Sequence, residues 1–499
     1  MLSELVGPLA SETASVPAVV IEDVTTDSRT AGPGACFVAI AGTVTDGHRF
    51  ISQAVAAGAV AVVYENEQFR ALIPEGIAAV RVPNSRRAAA IIADRFWDHP
   101  SGSLTLVPVT GTNGKTSTVH LLESIFVSAG YRTGMIGTLG RRIAGVTVPA
   151  SRTTPDSVEL QSLLARMRGE GVTHVAMELS SHAIDLDRAW GCSFAGAIFT
   201  NLTPEHLDWH GDLATYQASK TRLFTDYADL ARPEHEMVGA LNVDDPAGPQ
   251  IAAVARCQVI TYGLTGVAGV RAENLVSAAT GSRFDLVTPD YRASVNLKLV
   301  GRFNVYNALA AAACAYGLKV PQEAIVTGLE ALSNVPGRVQ RVERGQPFGV
   351  LVDYAHSPDA LENVLRTARE LAPRRLICVF GCGGDRDRTK RPVMGRIATE
   401  MADLAIITSD NPRSEDPLAI IADITAGALG ERYEVEPDRA KAIAVAIDNA
   451  APGDLVVICG KGHEDYQEFA DGLRVHFDDR EVAAQALVAR GYRGEDDGS

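Results

Sequence analysis

A tight glycine turn followed directly by lysine and threonine is what a phosphate-binding loop needs, and Val107-Pro108-Val109-Thr110-Gly111-Thr112-Asn113-Gly114-Lys115-Thr116-Ser117 supplies one. An apolar strand runs into the turn, and the helical run Val119-His120-Leu121-Leu122 follows it. Backbone N–H groups of such a turn converge on phosphate, and the dipole of the following helix adds positive potential. Lys115 would reach the terminal phosphates of a nucleotide, and the Thr116 hydroxyl would meet Mg²⁺. The common G-x-x-x-x-G-K-[ST] spacing asks for glycine at position 109, where this chain has Val109, so the loop is a shorter G-T-N-G-K-T form. A plain glycine turn between strand and helix is the simpler alternative, but it has no need of Lys and Thr together.

Two further strands end in groups that could work beside that loop. His174-Val175-Ala176-Met177 runs into Glu178-Leu179-Ser180-Ser181-His182, and Ala197-Ile198-Phe199 runs into Thr200-Asn201-Leu202-Thr203-Pro204-Glu205-His206-Leu207-Asp208. Functional groups of open α/β sheets gather at the carboxyl ends of strands. Glu178 and His206 could therefore share a metal ion with nucleotide phosphates. Taken singly, Glu178 reads equally well as a solvated strand-end acid, and His206 reads better as a helix-start or core residue. The segment 216–224 is expected to form an amphipathic helix on which Lys220, taken alone, is a surface lysine. Nearer the C-terminus, three more strand ends carry Gly381-Cys382-Gly383-Gly384-Asp385-Arg386-Asp387-Arg388, Ser409-Asp410-Asn411-Pro412-Arg413 and Gly460-Lys461-Gly462-His463-Glu464-Asp465. Arg386 and Arg413 suit a carboxylate, while Asp410 and Glu464 suit an amine, so a zwitterionic amino acid would satisfy both. Loops solvating a domain face would explain any one of these segments, but not all three together.

The elements that must position these groups form three blocks, as 499 residues exceed a single core. From residue 1 to about 100, β-like runs at 35–40 and 59–63 alternate with Ala-rich helical stretches. A helix over 86–97 ends at a linker, 99–103, set by its turn chemistry. From about 104 to 334, strands at 104–109, 174–177, 195–199 and 237–243 alternate with helices, which predicts a mainly parallel, buried sheet. That block closes with a helix over 304–316, and Pro336-Gly337-Arg338 marks the next junction. Strands at 376–380, 404–408 and 455–459 then form a second doubly wound unit. No internal repeat is present, and the polar tail 493–499 is expected to fray.

Composition narrows the partners. Hydrophobic residues make up 46% and charged residues 21%, the balance of a soluble globular protein. The net charge of −15 is spread along the chain, which argues against a basic face for nucleic acid or membrane. Seven cysteines with no C-x-x-C pair indicate neither a zinc ribbon nor a disulfide framework. Cys36, Cys192, Cys314, Cys378 and Cys459 are expected in the core, and Cys382 in close packing at a strand end. With no basic, apolar leader at the N-terminus and no long apolar run, a cytoplasmic location is expected.

Taken in order, Thr110-Gly111-Thr112-Asn113-Gly114-Lys115-Thr116, Glu178-x-Ser180-Ser181-His182, Asn201-Leu202-x-x-Glu205-His206-Leu207-Asp208, the Tyr216…Lys220 helix, Gly301-Arg302-Phe303-Asn304-x-x-Asn307 and Asp353-Tyr354-Ala355-His356-Ser357-Pro358 resemble the Mur ligase family over almost the whole chain. The resemblance implies an α/β, three-domain architecture: a UDP-sugar-binding N-terminal domain (1–101), a central phosphate-loop ATPase domain (102–335) and a C-terminal, Rossmann-like amino-acid-binding domain (336–499). Asp27-Ser28-Arg29, Thr153-Thr154-Pro155, the 381–387 loop and Gly460-Lys461-Gly462-His463-Glu464 are similar to members that add a third amino acid to UDP-N-acetylmuramoyl-L-alanyl-D-glutamate for peptidoglycan precursors. Asp410-Asn411-Pro412-Arg413 resembles the version that adds meso-diaminopimelate rather than L-lysine. Physically, Arg413 would pair the distal carboxylate that lysine lacks.

By this resemblance ATP phosphorylates the glutamyl side-chain carboxylate, and the incoming amine displaces phosphate from the acyl phosphate. Gly111, Thr112, Asn113, Gly114, Lys115, Thr116 and Ser117 hold phosphates, and Asn307, Arg338 and Asp353 hold the adenine and ribose end, with His356 close by. Thr116, Glu178, His206 and Lys220 surround Mg²⁺, and Lys220 matches the family's carbamylated lysine (N6-carboxylysine). Thr26, Ser28, Thr43, Val44, Thr45, Thr153, Thr154, Ser180 and Arg188 match contacts to the UDP-sugar-peptide. Arg386, Asp410, Asn411, Pro412, Arg413, Gly460 and Glu464 match the diaminopimelate site. Arg152 stands where many members carry an amide, and Leu186 where some carry Gln. A monomer is the expectation.

Two enzyme alternatives remain: a relative adding L-lysine or another diamine, and one extending folate with glutamate, against which the first hundred residues count. A third, from a different class, is a non-ligating phosphate-loop switch ATPase, which would not need the amino-acid loops of the last block.

Overall fold

The computed structural model describes residues 1–10, 16–43, 45–150, 152–230, 236–278, 281–371 and 374–493. They fall into two compact units, one of residues 1–271 with 309–328, the other of 272–308 with 329–499. Except for Arg493, the polar tail 493–499 lies outside the described residues.

The first unit carries two sheets. Asp23–Thr25, Ala35–Val38, Ala61–Tyr64 and Ala78–Arg81 pair in that order, all parallel, as the short apolar runs near the N-terminus predict. The helix Ser85–Phe96 follows, started by the Asn84 side chain, which accepts from the Arg87 N–H. The expected linker is instead a 3₁₀ turn, Pro100–Ser103, whose Pro100 and Ser101 are buried. It is tied to the larger sheet because the Ser101 hydroxyl accepts from the Ser193 N–H at 3.0 Å.

In the larger sheet, Gln258–Gly263, Val238–Asn242, Gly196–Phe199, Thr105–Thr110, His174–Glu178 and Thr133–Gly137 are parallel neighbours. Gly140–Ile143 and Val146–Val148 extend it as an antiparallel edge. Leu106, Val107, Val109, Val175, Ala176, Met177, Ala197, Ile198 and Phe199 are fully buried, so these central strands have no polar-facing side. That is the continuous apolar pattern of a parallel sheet covered on both faces. Thr105–Thr110 lies between Gly196–Phe199 and His174–Glu178, so the phosphate loop, the Glu178 segment and the Asn201 segment leave adjacent strand ends.

The second unit contains the antiparallel hairpin Gly281–Val287 with Arg292–Leu297, and a separate six-stranded sheet. That sheet runs Gln340–Arg341, Gly349–Asp353, Leu455–Cys459, Leu376–Phe380, Leu404–Ile407 and Tyr433–Val435, parallel apart from its first strand. Leu455–Cys459, Leu376–Phe380 and Leu404–Ile407 are thus consecutive, and their three glycine- and charge-rich ends share one rim. Cys36, Cys192, Cys314, Cys378, Cys382 and Cys459 are all buried, the thiol of Cys382 lying against the Met394 sulfur at 3.7 Å. Among the described residues no helix is long and apolar enough to cross a membrane.

Candidate active site

Gly111 sits at φ +143°, and a Cβ there would stand 1.8 Å from the Thr200 hydroxyl, so only glycine fits. Gly114, at φ +88°, precedes the helix Lys115–Ser128. The loop is held in shape from the neighbouring strand end. The Asn201 side-chain oxygen accepts from the Asn113 N–H (2.9 Å), and the Thr200 hydroxyl donates to the Asn113 carbonyl (2.6 Å). Lys115 folds back over the loop, its Nζ donating to the carbonyls of Gly111 (2.9 Å) and Thr112 (2.8 Å). Its ammonium therefore stands over the cradle formed by the turn.

Thr116 and Glu178 meet as expected, hydroxyl to carboxylate, at 3.1 Å. The Glu178 carboxylate also accepts from the Thr138 N–H (2.8 Å) and hydroxyl (3.2 Å), and Thr116 and Glu178 are themselves buried. His206 is set against His182, with ring centroids 4.7 Å apart, and its Nε2 is 3.7 Å from the Glu205 carboxylate. Burial, reinforced by His206 and His210, lowers the His182 pKa to about 4. No group of three or more His, Cys, Asp or Glu side chains among the described residues is placed to hold a metal. Thr116 and Glu178 do place hard oxygen donors at the foot of the phosphate loop, the kind Mg²⁺ takes alongside phosphate oxygens.

Lys220 departs most from its isolated reading as a surface lysine. It lies on the helix Leu213–Thr221, which is shorter than expected and passes into the 3₁₀ turn Arg222–Phe224. It is 1% exposed, with its Nζ 4.2 Å from the centre of the Tyr216 ring. The Tyr216 hydroxyl lies 3.3 Å from the Thr112 hydroxyl of the phosphate loop. Burial, then the Lys115 cation, hold the Lys220 pKa well below that of an ordinary lysine. Burial thus disfavours the charged ammonium and favours the neutral, nucleophilic form of the amine.

Thr26, Ser28, Thr43, Thr45 and Arg188 line one cleft of about 590 Å³, together with Arg152 and Leu186, the two positions that depart from the family pattern. Val44 lies outside the described residues. Thr153, Thr154 and Ser180 connect this cleft to Glu178 instead of lining it. Arg188 donates to the Thr154 carbonyl (3.1 Å), and the Thr154 hydroxyl donates to the Glu178 carbonyl (2.9 Å). The Thr153 hydroxyl is 3.0 Å from that of Thr138, while Ser180 caps the helix Ser181–Asp185.

In the second unit, Asn411 is the centre of the expected amino-acid site. Its side chain donates to Glu464 (2.9 Å) and accepts from Lys461 (2.9 Å) and the Glu468 N–H (3.0 Å). Burial raises the Glu464 pKa, opposed by Lys461. Gly460, at φ +122°, leaves room for Asp410, whose carboxylate would lie 2.4 Å from a Cβ at that position. Pro412 passes Gly384 so closely that its carbonyl oxygen would be 1.9 Å from a Cβ there. Arg413, itself at φ +50°, donates to the Glu468 carboxylate (3.1 Å) and the Gly384 carbonyl (2.8 Å). Arg386 is the outlying member, exposed and bonded to the Asp385 carbonyl.

Three residues hold these loops without having been singled out. Lys461 lay inside a quoted motif, and a lysine between two glycines was its only signal. Arg391, fully buried, donates to both Glu415 oxygens, to Asp423 and to the Gly383 carbonyl. Arg439 pairs with Asp479 and donates to the carbonyls of Ser409 and Cys459, joining two of the three strand ends. No local pattern distinguishes either arginine from a surface one.

The remaining expected nucleotide contacts also lie in the second unit. Asn307 donates to the Asn304 side chain (3.0 Å), and Arg338 lies over the Tyr354 ring, 4.9 Å from its centre. Asp353 accepts from the Val339 and Ala355 N–H groups, each at 2.8 Å, and burial raises its pKa. His356 bonds the Tyr354 carbonyl.

A glycine-turn loop at the end of one parallel sheet and three glycine- and charge-rich strand ends on the rim of another are the arrangement expected of an acid–amino-acid ligase of the Mur type. The chain belongs to the Mur ligase family. Family models match at 20–97 (Mur ligase family, catalytic domain), 109–315 (Mur ligase middle domain) and 337–462 (Mur ligase, glutamate ligase domain). The three-domain α/β architecture and an ATP-dependent ligase activity follow from that membership. Among its relatives is the UDP-N-acetylmuramoyl-L-alanyl-D-glutamate–2,6-diaminopimelate ligase of Bacillus licheniformis, 45% identical over 94% of this chain and 95% of that one. The ligase of the same name from Halalkalibacterium halodurans is 46% identical, over 94% and 95%. A solved structure of a ligase of that name superposes with a TM-score of 0.70 at 34% identity, covering 94% of this chain and 95% of the other.

Proposed function

We propose that this protein joins meso-diaminopimelate to the D-glutamyl side chain of UDP-N-acetylmuramoyl-L-alanyl-D-glutamate, at the expense of ATP, in the cytoplasm. The observation that carries this reading is the convergence of Asp410, Asn411, Arg413, Gly460 and Glu464 on one rim, in a chain closely similar to ligases of that name. Glu464 and Asp410 take the ammonium of the incoming amino acid. Arg413, shared with Glu468, takes the distal carboxylate, and Arg386 closes the outer side. The proposed functional domains are 1–101, 102–335 and 336–499, with the nucleoside end of ATP on Asn307, Arg338 and Asp353.

Chemistry begins when an oxygen of the glutamyl carboxylate attacks the γ-phosphorus of ATP and ADP leaves. Lys115 and the N–H groups of Gly111 to Ser117 carry the negative charge that builds on the phosphates, in a loop already shaped for it. The amine of diaminopimelate then attacks the acyl carbon, phosphate departs with the bonding electrons, and the amine loses its proton as the amide forms. Thr116, Glu178, His206 and Lys220, the last as its carbamate, would hold Mg²⁺, which would supply charge neutralisation for the phosphate oxygens. The burial of Lys220, which disfavours its ammonium form, supports its conversion to a carbamate by dissolved carbon dioxide with loss of a proton, and the anionic product would align the glutamyl carboxylate. Substrate labelled with ¹⁸O in the glutamyl side-chain carboxylate tests the sequence of steps. One label per turnover appears in inorganic phosphate if an acyl phosphate forms, and none appears if it does not.

A further inference from the structure

The cleft on the first unit has an unbalanced charge lining: Arg29, Arg86, Arg152 and Arg188 against Asp27 and Asp156. Arg29 is spent on Asp27, to which it donates at 2.6 Å through Nη2. Arg152 reaches Asp156 only at 3.8 Å. Arg86 and Arg188 direct their side-chain hydrogen bonds to backbone, the carbonyls of Ala41 and Thr154 respectively. Two half-buried guanidiniums and one loosely paired guanidinium therefore face one cavity. Burial and then the Arg152 charge lower the Arg188 pKa, and burial lowers that of Arg86, with Asp187 and Glu65 opposing. Holding three cations together is unfavourable unless an anion enters among them.

The place of this cluster selects which anion. Arg188 is two hydrogen bonds from Glu178, through Thr154. Arg188, with the Arg152 and Arg86 charges acting on it, is thereby tied to the segment that carries Glu178, in the cleft that Thr26, Ser28, Thr43 and Thr45 also line. We propose that Arg86 and Arg152, with Arg188, form a charge-reading subsite for the α-carboxylate of the terminal D-glutamate and thereby select the free acid over its α-amide. This rests on the substrate assignment made above. Arg152, standing where many of the family carry an amide, adds a full charge to that contact in this chain. An α-carboxamide offers one oxygen and no charge, and its N–H₂ would face guanidinium donors that cannot accept.

The test is titration calorimetry of the wild-type protein, Arg86→Gln and Arg152→Gln with three ligands: the UDP-dipeptide, its glutamyl α-amide, and UDP. The wild type should bind the acid at least about tenfold tighter than the amide, the size of one lost charge-assisted contact. Each variant should lose most of that discrimination while binding UDP like the wild type, which also reports its fold. Equal binding of acid and amide by the wild type overturns the inference. So does a loss of UDP affinity in the variants matching their loss for the acid, because the arginines would then hold the diphosphate. No binding of any of the three ligands would overturn the substrate assignment itself, and this inference with it.

Discussion

The Lys220 side chain carries the strongest residue-level argument. A buried ammonium with Lys115 nearby would be unfavourable, and its depressed pKa leaves the amine free to react. Lys220→Ala should be nearly inactive in phosphate release, with short-chain carboxylates partly restoring turnover by filling the vacated oxygen site. Full activity of that variant would remove the proposed role. At Arg413 the expected effect is on substrate affinity. Its fork is held by Glu468 and the Gly384 carbonyl, so it is already oriented before a ligand arrives. Arg413→Ala should raise the KM for diaminopimelate by the loss of about 1.5–3 kcal/mol, with a much smaller change for ATP, measured by steady-state kinetics. What the residue types alone disclosed was uneven. Thr116 with Glu178, and Asp410 with Gly460, were legible only jointly, because each stands at the end of an apolar strand beside other glycines and charges, while each residue alone reads as an ordinary loop group. The burial of Lys220 was not, since a single lysine on a short helix carries no sign of what packs over it.

At the scale of elements, the parallel strands were visible as uninterrupted apolar runs, and their ends located the chemistry. The antiparallel pieces escaped for a physical reason. Arg292–Leu297 has alternating exposed and buried residues, and Gly140–Ile143 has two buried ends around two arginines, so neither makes an apolar run. The rim of the second sheet depends on the Arg439–Asp479 pair, both fully buried, with the guanidinium also bonded to Ser409 and Cys459. Removing one partner leaves an uncompensated charge in the interior. Arg439→Met should therefore destabilise the second unit by about 3–5 kcal/mol in urea denaturation and weaken diaminopimelate binding. Replacing both partners with apolar residues should cost less than the single change.

For the molecule as a whole, half-buried histidines contribute a pH dependence. His174, stacked on Tyr131 with centroids 3.7 Å apart, has its pKa lowered to about 4 by burial, from an ordinary 6.5. Between those values the unfolded chain binds more protons than the folded one, so stability falls as pH drops from about 6.5 toward 4. His174→Gln should flatten this slope by less than the about 1.4 kcal/mol per pH unit that one full proton carries, because the ring is only partly shielded. Urea midpoints at pH 6.5, 5.5 and 4.5 measure it, and an unchanged slope would mean that the ring titrates normally.

The central claim, ligation of a diamino acid with a second carboxylate, is tested most directly by phosphate release with a panel of amines. The protein is given ATP, Mg²⁺ and UDP-N-acetylmuramoyl-L-alanyl-D-glutamate, with meso-diaminopimelate, L-lysine, D-glutamate or no amine. The account predicts sustained phosphate release with meso-diaminopimelate, accompanied by an equal amount of the UDP-tripeptide, and little release with the others. Equal turnover of L-lysine, or release that ignores both the amine and the UDP-dipeptide, would contradict it.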